Sequence, residues 1–462
     1  MAQAQDTSWR DLVAGGRAAS LALVLLGIWL IAADSLVTAT IMPSVGADLH
    51  GFAWFGWTTS GFLVGLVVAG ACTGSLTARI GLRTAMIAAG IGLAIGCAIS
   101  ALGGSMLAFV IGRLVQGSAA GLISGLTYVA ISVVFPERHL PRVFAAATSV
   151  WGIATFVGPL VGGLFADAGA WRWTFWFFAA QALVFTLLVM WLVPAAPPPG
   201  ETRKPPVVPL LLLTIGVTAM AVAGVTRNVP FAVVLLGIGL AFGGAAIRRD
   251  RRVPGGLLPA DASRLGTPLG AAYGYYFSAT AAAVGFAVYA PAILQFTNGL
   301  SALEAGYLVA VEALAWTGCA LLVSGSPERR RLWVRVGAVC IAVSVVLLAM
   351  MMASGNLLAA AIGGGLLGGG FGLSFSFVSQ NVMTSLPEAE RESGSAAISA
   401  VRNTGGAVGA SLASIAANFT GFADGLNAGN VSGVSAAIFG VAIPLAAIGV
   451  WSAFRLARQM PL

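Results

Sequence analysis

The feature that most restricts this chain is a repeated apolar run, too long and too frequent for a water-soluble core. A helix rises about 1.5 Å per residue, so about 20 predominantly apolar residues cross a hydrocarbon layer roughly 30 Å thick. Runs of that length stand at roughly 20–42, 53–76, 83–104, 106–134, 143–166 and 172–193. After a break rich in proline and charge, PAAPPPGETRKPP, two shorter runs follow near 207–225 and 229–247. A basic stretch, IRRDRRVPGGLLPADASRLG, separates these from six more near 268–294, 303–325, 333–353, 357–385, 395–418 and 433–454. Charged residues make up 9% of the 462 positions and apolar residues 58%. A soluble domain carries about 25% charge, so most of this surface faces lipid. The expected fold class is an all-α polytopic membrane protein with 14 spans, grouped six, two and six.

Orientation follows from the basic residues, because loops on the cytoplasmic side carry an excess of Lys and Arg. With both termini cytoplasmic, 20 of the 24 basic residues fall on that side, from Arg10 and Arg17 ahead of the first run to Arg455 and Arg458 after the last. Arg172 and Arg227 fall outside, and Arg113 and Arg402 lie within runs. A missed or invented span would reverse every later loop, so the bias supports the even count. The weakest element is the middle pair, for which a single re-entrant segment is the alternative. The basic N-terminus before LALVLLGIWLIAA imitates a leader, but the apolar character continues to about residue 45. That is too long for the central region of a signal peptide, so this run is expected to be the first span. The resulting layout is a cytoplasmic N-terminus (1–19), a six-helix bundle (20–193), a linker (194–206), two additional helices (207–247), a basic linker (248–267), a second six-helix bundle (268–454) and a cytoplasmic tail (455–462).

Several function classes drop out. The net charge of +8 is spread in short clusters between apolar runs and not along one face, which argues against a nucleic-acid partner. Cys72, Cys97, Cys319 and Cys340 all sit inside apolar runs and show neither disulfide nor zinc spacing. His50 and His139 fall in loops on opposite sides of the membrane. The chain has one lysine, Lys204, and no G-x-x-x-x-G-K-[ST] phosphate loop, H-E-x-x-H or G-x-S-x-G. No enzyme is expected, and no metal or cofactor; the partners implied are lipid, a small molecule and a driving ion, with a monomer as the working unit. The 61 glycines suit helices that pack closely in a bilayer.

A charge inside hydrocarbon costs several kcal/mol and needs a reason. Away from the run ends there are four: Asp34, Arg113, Glu312 and Arg402. Asp34 lies about 14 residues into its run from the cytoplasmic side, roughly 21 Å, and Arg113 about 7 residues from the outer end of its own, roughly 10 Å. In a layer of about 30 Å the two share a depth. A carboxylate there can be gated by a guanidinium that approaches and withdraws, or the two form a permanent structural pair. Glu312 stands near the middle of its run with Trp316 one turn away on the same face. It suits a lipophilic cation or a second proton, or it is a protonated acid bonded to a neighbouring helix. Arg402, nearer the cytoplasmic side, is either a conformational lock of inner helix ends or a structural residue. Trp54, Trp57, Trp171, Trp173 and Trp176 gather at outer run ends, as an interfacial belt does.

At the level of motifs the chain resembles the 14-span drug:proton antiporter branch of the major facilitator superfamily, from about residue 24 to 454. D-S-L-V-T-A-T-I-M-P (34–43) resembles the family's D-x-x-x-x-x-x-x-x-P element, which implies that Asp34 is the protonatable acid. G-S-L-T-A-R-I-G-L-R (74–83), with Gly74, Arg79, Gly81 and Arg83, resembles the gating loop, but Ala78 stands where the family has an aspartate that anchors a charge relay. R-L-V-Q-G (113–117) resembles the R-x-x-q-G motif, which implies that Arg113 and Gln116 take part in proton transfer. G-P-L-V-G-G (158–163), with Gly158, Pro159, Gly162 and Gly163, resembles the antiporter motif that the family associates with exporters. W-R-W-T-F (171–175), L-Q-F-T-N-G-L-S-A-L-E-A-G (294–306) and G-S-A-A-I-S-A-V-R-N-T-G-G (394–406) also match the branch. The N-x-P that often follows W-R-W-x-F is replaced here by Phe178 and Ala180.

The resemblance implies two six-helix bundles about a central cavity that rock to alternate access. It further implies proton-coupled antiport of amphipathic or lipophilic, in particular cationic, compounds across the inner (plasma) membrane, with the proton gradient as the energy source. Asp34, Arg113 and Gln116 would couple the proton, Glu312, Trp316 and Thr38 would meet the substrate, and the glycines and arginines of the two motifs, with Arg402, would gate. An exporter of a lipid, metabolite or natural product on the same fold is the alternative.

Overall fold

The computed structural model describes residues 17–136, 139–195, 205–226, 228–252, 256–259, 261–387 and 391–460. Among these there is no strand. The helices are α1 (Arg17–Asp48), α2 (Phe55–Ala71), α3 (Thr73–Ile80), α4 (Leu82–Leu102), α5 (Met106–Val134), α6 (Leu140–Asp167), α7 (Arg172–Leu192), α8 (Val207–Val225), α9 (Val229–Asp250), α10 (Pro268–Asn298), α11 (Ala302–Val323), α12 (Arg330–Met351), α13 (Leu357–Ser385), α14 (Arg391–Phe419), α15 (Val431–Gly440) and α16 (Ala442–Gln459). Local chemistry sets many of their ends. Asn228, Thr267 and Asn356 accept from backbone N–H groups one turn inside α9, α10 and α13, which satisfies donors that the helix leaves free. Ser301 and Glu304 form a reciprocal capping box at the start of α11. Gly299 ends α10 in the left-handed region, at φ 65°, where a side chain would be strained.

Thirteen helical segments of the described residues are long and apolar enough to cross a membrane. They match the sequence-derived spans but for one, 395–418. The corresponding helix, α14, has 29 residues, yet Arg391, Glu392, Arg402, Asn403 and several Ser and Thr lower its hydropathy. Its small residues instead let it lie close to its neighbours. An added Cβ at Gly405 or Gly409 would strike the backbone of Phe277 or Ala281 on α10. The second run, expected to be continuous to 76, breaks at Cys72, and the gating segment after it is a helix, α3, ended by Gly81 at φ 80°. The middle pair consists of two full helices, not a re-entrant element; α8 packs on α9, α14 and α2, whereas α9 packs chiefly on α8 and is largely exposed.

The remaining helices form two groups. In the first, α1 lies against α5, α6 and α7, α2 against α5, and α4 against α5 and α7; in the second, α10 lies against α11, α13, α14 and α16, and α13 against α11 and α12. Contacts between the groups run chiefly through α6 with α11 and α2 with α14. The hydrogen bonds between them lie toward one end of the molecule. Asp167 accepts from the backbone N–H of Ala302 (2.7 Å) and Leu303 (3.3 Å). The Asn418 amide donates to the Ala53 carbonyl (2.8 Å). Ser60 donates to the Ala407 carbonyl at 3.0 Å and lies 3.0 Å from Ser411 Oγ. Tyr307 donates to the Phe156 carbonyl at 3.2 Å. Phe422 seals the same end, with ring centroids 5.0 Å from Phe55, 5.1 Å from Tyr289 and 5.7 Å from Phe52. At the opposite end no hydrogen bond joins the two groups among the described residues. Among the described residues, the hydrogen bonds that join the halves therefore gather at one end.

Candidate functional site

In the first half, α1 carries Asp34 and α5 carries Arg113. Arg113 Nη1 donates to Asp34 Oδ1 at 3.0 Å and Oδ2 at 2.9 Å. Both side chains are almost fully buried, at 3% and 4% exposure. The same Nη1 donates to Gln116 Oε1, one turn along α5, where i and i+3 side chains share a face. Gln116 is held in turn from α4: its Nε2 donates to the Gly96 carbonyl at 3.0 Å and to Ser100 Oγ at 2.8 Å. The Phe62 ring of α2 lies under the guanidinium, 4.4 Å from Cζ, an attraction that strengthens without water. Arg113 Nε is buried without a partner.

The glycines explain how this cluster closes. A Cβ at Gly117 would overlap the Phe62 carbonyl, and one at Gly96 would sit 2.7 Å from the Gln116 backbone N. Only glycine at these places lets α2 and α4 come near enough to α5 for Phe62 and Ser100 to reach their partners. The motif R-L-V-Q-G therefore has a mechanical reading: the cation, the amide that shares it, and the gap for the ring beneath it. Thr38, one turn beyond Asp34, is buried in α1.

The second half holds the other two charges. Glu312 on α11 is half-buried and makes no hydrogen bond or ion pair with a described residue. Trp316 stacks on Phe371 of α13, with centroids 4.9 Å apart and planes at 13°, and its ring lies 5.5 Å from Phe375. Arg402 of α14 sets its guanidinium over Phe375 (4.9 Å) and Trp316 (5.6 Å). Its Nε is buried without a hydrogen-bond partner, and no carboxylate of the described residues pairs with it. Arg402 thus stands with the residues expected to meet substrate, while the gating segment makes its own arrangement. There Ala78 is buried, and Arg83 donates to the Met190 carbonyl at 2.5 Å. That bond places a cation on the last turn of α7, where the carbonyls are free and the helix end is negative. Gly74 faces open space.

The antiporter-like motif lies in α6, with Pro159 inside the helix. A Cβ at Gly158 would come within 2.9 Å of Leu36, and one at Gly162 within 3.1 Å of the Val37 carbonyl, both on α1. A Cβ at Gly163 would lie 2.5 Å from Leu303 Cα on α11. Gly306 of α11 faces Thr40 and Pro159 in the same manner. The motif is the place where α6 touches both the helix of Asp34 and the helix of Glu312. Sequence reasoning missed Phe62, Ser100, Phe375, Asp167 and Asn418. A G-x-x-x-S step at 96–100 and a carboxylate at the end of α6 opposite the Ser301 cap are the signals that mark two of them.

With fold and geometry in place, the class is defined: residues 24–410 match the Major Facilitator Superfamily, and the chain belongs to it. It is similar to the probable multidrug-efflux transporter Rv1634 of Mycobacterium tuberculosis (strain ATCC 25618 / H37Rv), 30% identical over 89% of this chain and 90% of that one. It is also similar to the uncharacterized transporter YebQ of Escherichia coli (strain K12), 25% identical over 92% and 93%. Among solved structures it shares its fold with a D-xylose-proton symporter (TM-score 0.65, 18% identity, 96% and 98% of the chains). It likewise shares it with the POT family transporter PepTSo (TM-score 0.66, 16% identity, 95% and 98%). The chain is a multi-span membrane transporter and not an enzyme.

Proposed function

We propose that this protein is a proton-coupled antiporter that exports small amphipathic or lipophilic compounds across the inner (plasma) membrane by alternating access. The observation that carries the reading is the buried Asp34–Arg113 pair in a chain whose relatives over most of its length include a probable multidrug-efflux transporter. On this reading both termini are cytoplasmic and α14 is the thirteenth of fourteen spans, so that the latched end lies outside and the state is inward-facing. A proton enters from outside when the halves part, neutralises Asp34 and loosens its hold on Arg113. Gln116 and Phe62 then keep the guanidinium in place, so the cation is never stranded in a dry site. Re-formation of the pair on deprotonation toward the cytoplasm resets the cycle, and substrate moves outward in exchange. Glu312 receives the cationic moiety of a substrate, with Trp316 as the apolar wall beside it.

The test is proton flux in liposomes that hold the purified protein, run against cationic, neutral and lipid-like compounds. Substrate-dependent proton movement supports antiport; efflux that is indifferent to a pH gradient defeats it, and movement with lipid-like compounds alone would favour a lipid exporter. Within that assay, Glu312→Gln is expected to weaken cationic substrates about tenfold, the scale of one partly desolvated charge contact. Neutral substrates should keep their parent values. An equal loss for both groups removes Glu312 from substrate recognition.

A further inference from the structure

The second half holds an acid and a guanidinium that do not meet. Among the described residues Glu312 has no polar partner and Arg402 no carboxylate, and the stacked rings of Trp316 and Phe371 stand beside them. A buried guanidinium normally takes an acceptor, since an unpaired charge in a protein interior is costly. Arg402 is half-buried, with the rings of Phe375 and Trp316 beneath its guanidinium and no acceptor for its buried Nε among the described residues. Cation–π contact orients the guanidinium plane and leaves its N–H edge free, and the Nε on that edge is buried without a partner. A planar donor edge of this kind is matched to a carboxylate or a similar oxyanion, which it grips through two parallel bonds. The contrast with the first half is direct: Arg113 has Asp34 and Gln116 to accept from it, whereas Arg402 has neither.

We infer that Arg402 is the anion-recognising residue of the substrate site, and that the site is built for zwitterions, planar compounds with an acidic group at one end and an amine at the other. The acid takes the free edge of Arg402, the aromatic body lies along Trp316 and Phe375, and the amine reaches Glu312. Either charge of the protein by itself would favour one sign of ligand. The pair, separated by an aromatic wall, selects a molecule that bears both. This rests on the transporter reading above and adds the substrate class.

The experiment measures equilibrium binding by calorimetry to the purified full-length chain in lipid nanodiscs, without a gradient. The probes are naphthoate, naphthylmethylammonium and an aminomethyl-naphthoate with its charges at opposite ends of the rings. The parent should bind the zwitterion tightest. Arg402→Gln is expected to weaken the zwitterion and naphthoate about 30-fold or more, the scale for removing one partner of a desolvated charge pair, and to leave naphthylmethylammonium within about threefold. Retained binding of that cation also shows that the variant is folded. Arg402→Lys, which keeps the charge and loses the planar edge, should recover only part of the loss. Glu312→Gln should show the mirror pattern, weakening the zwitterion and the cation and sparing naphthoate. Equal weakening of all three probes by Arg402→Gln, or no change in any, overturns the assignment. If the selectivity is as stated but liposomes show no proton-driven movement of the zwitterion, the antiport reading fails and the binding site stands.

Discussion

Replacing Asp34 by asparagine is expected to abolish proton-driven efflux in everted membrane vesicles, to the level of vesicles without the protein. The shape of the side chain is conserved, and an asparagine oxygen still accepts a bond from Arg113 Nη1. What is lost is the carboxyl group whose charge, set against Arg113, changes with protonation. Without it the guanidinium is held in one state throughout, and the pH gradient has nothing to act on. Loss of one partner from a buried pair costs roughly 3–5 kcal/mol where the remaining charge has no other acceptor. Here Gln116 and the Phe62 ring stay in contact with Arg113, so the protein should remain inserted and monodisperse on size exclusion. Asp34→Glu, which restores a titratable group one methylene longer, should recover a fraction of the efflux. An Asp34→Asn protein that pumps against a gradient at the parent rate would remove the carboxylate from the coupling step. A protein that fails to insert would say only that the pair is structural, and the glutamate variant decides between these outcomes.

Some of this arrangement was legible from residue order and some was not, for physical reasons. Helical rise converts position into depth, so Asp34 and Arg113 could be placed at one level before any contact was known. The same arithmetic fails for rotation. Which face of α4 turns toward Gln116 depends on how closely Gly96 and Gly112 let two backbones approach, and single-chain periodicity in an all-apolar helix carries no such signal. The surroundings of Arg402 were hidden for a related reason. Its depth along α14 is readable, but Trp316 and Phe375 come from α11 and α13, far away in sequence. The polar composition that makes α14 a poor span by hydropathy is explained by its place. It runs between the halves and supplies Ser411 and Asn418 to the latch and Arg402 to the site. Loss of the gating aspartate at Ala78 was plain in the sequence; that Arg83 would turn to the end of α7 was not.

Gly163 offers the sharpest test of how the proton site and the latch are connected, and Gly163→Leu is expected to cut efflux about tenfold or more while leaving the fold intact. α6 is the shared element: its Gly158 and Gly162 pack against Leu36, Val37 and Thr40 of α1, two to six residues beyond Asp34, and its Gly163 packs against Leu303 of α11. A leucine at 163 has no room in the latched state, because its Cβ alone would press on the Leu303 backbone. Overpacking of this sort costs roughly 1–3 kcal/mol. Leu303 N and Ala302 N are also the groups that Asp167 accepts from, so displacement of α11 breaks the cap as well. The cost falls on one conformation alone, which turns it into a population shift of about 5- to 150-fold toward the state in which α6 and α11 are apart. The shift can be read directly. With the four native cysteines replaced, a cysteine at Ser60, now buried against Ala407 and Ser411, should react faster with a membrane-impermeant maleimide from the latched side in the Gly163→Leu background. Gly163→Ala should fall between the parent and the leucine variant in both measurements. Unchanged labelling together with normal efflux would mean that the contact between α6 and α11 does not hold the halves together, and the close packing of this motif would then serve stability alone.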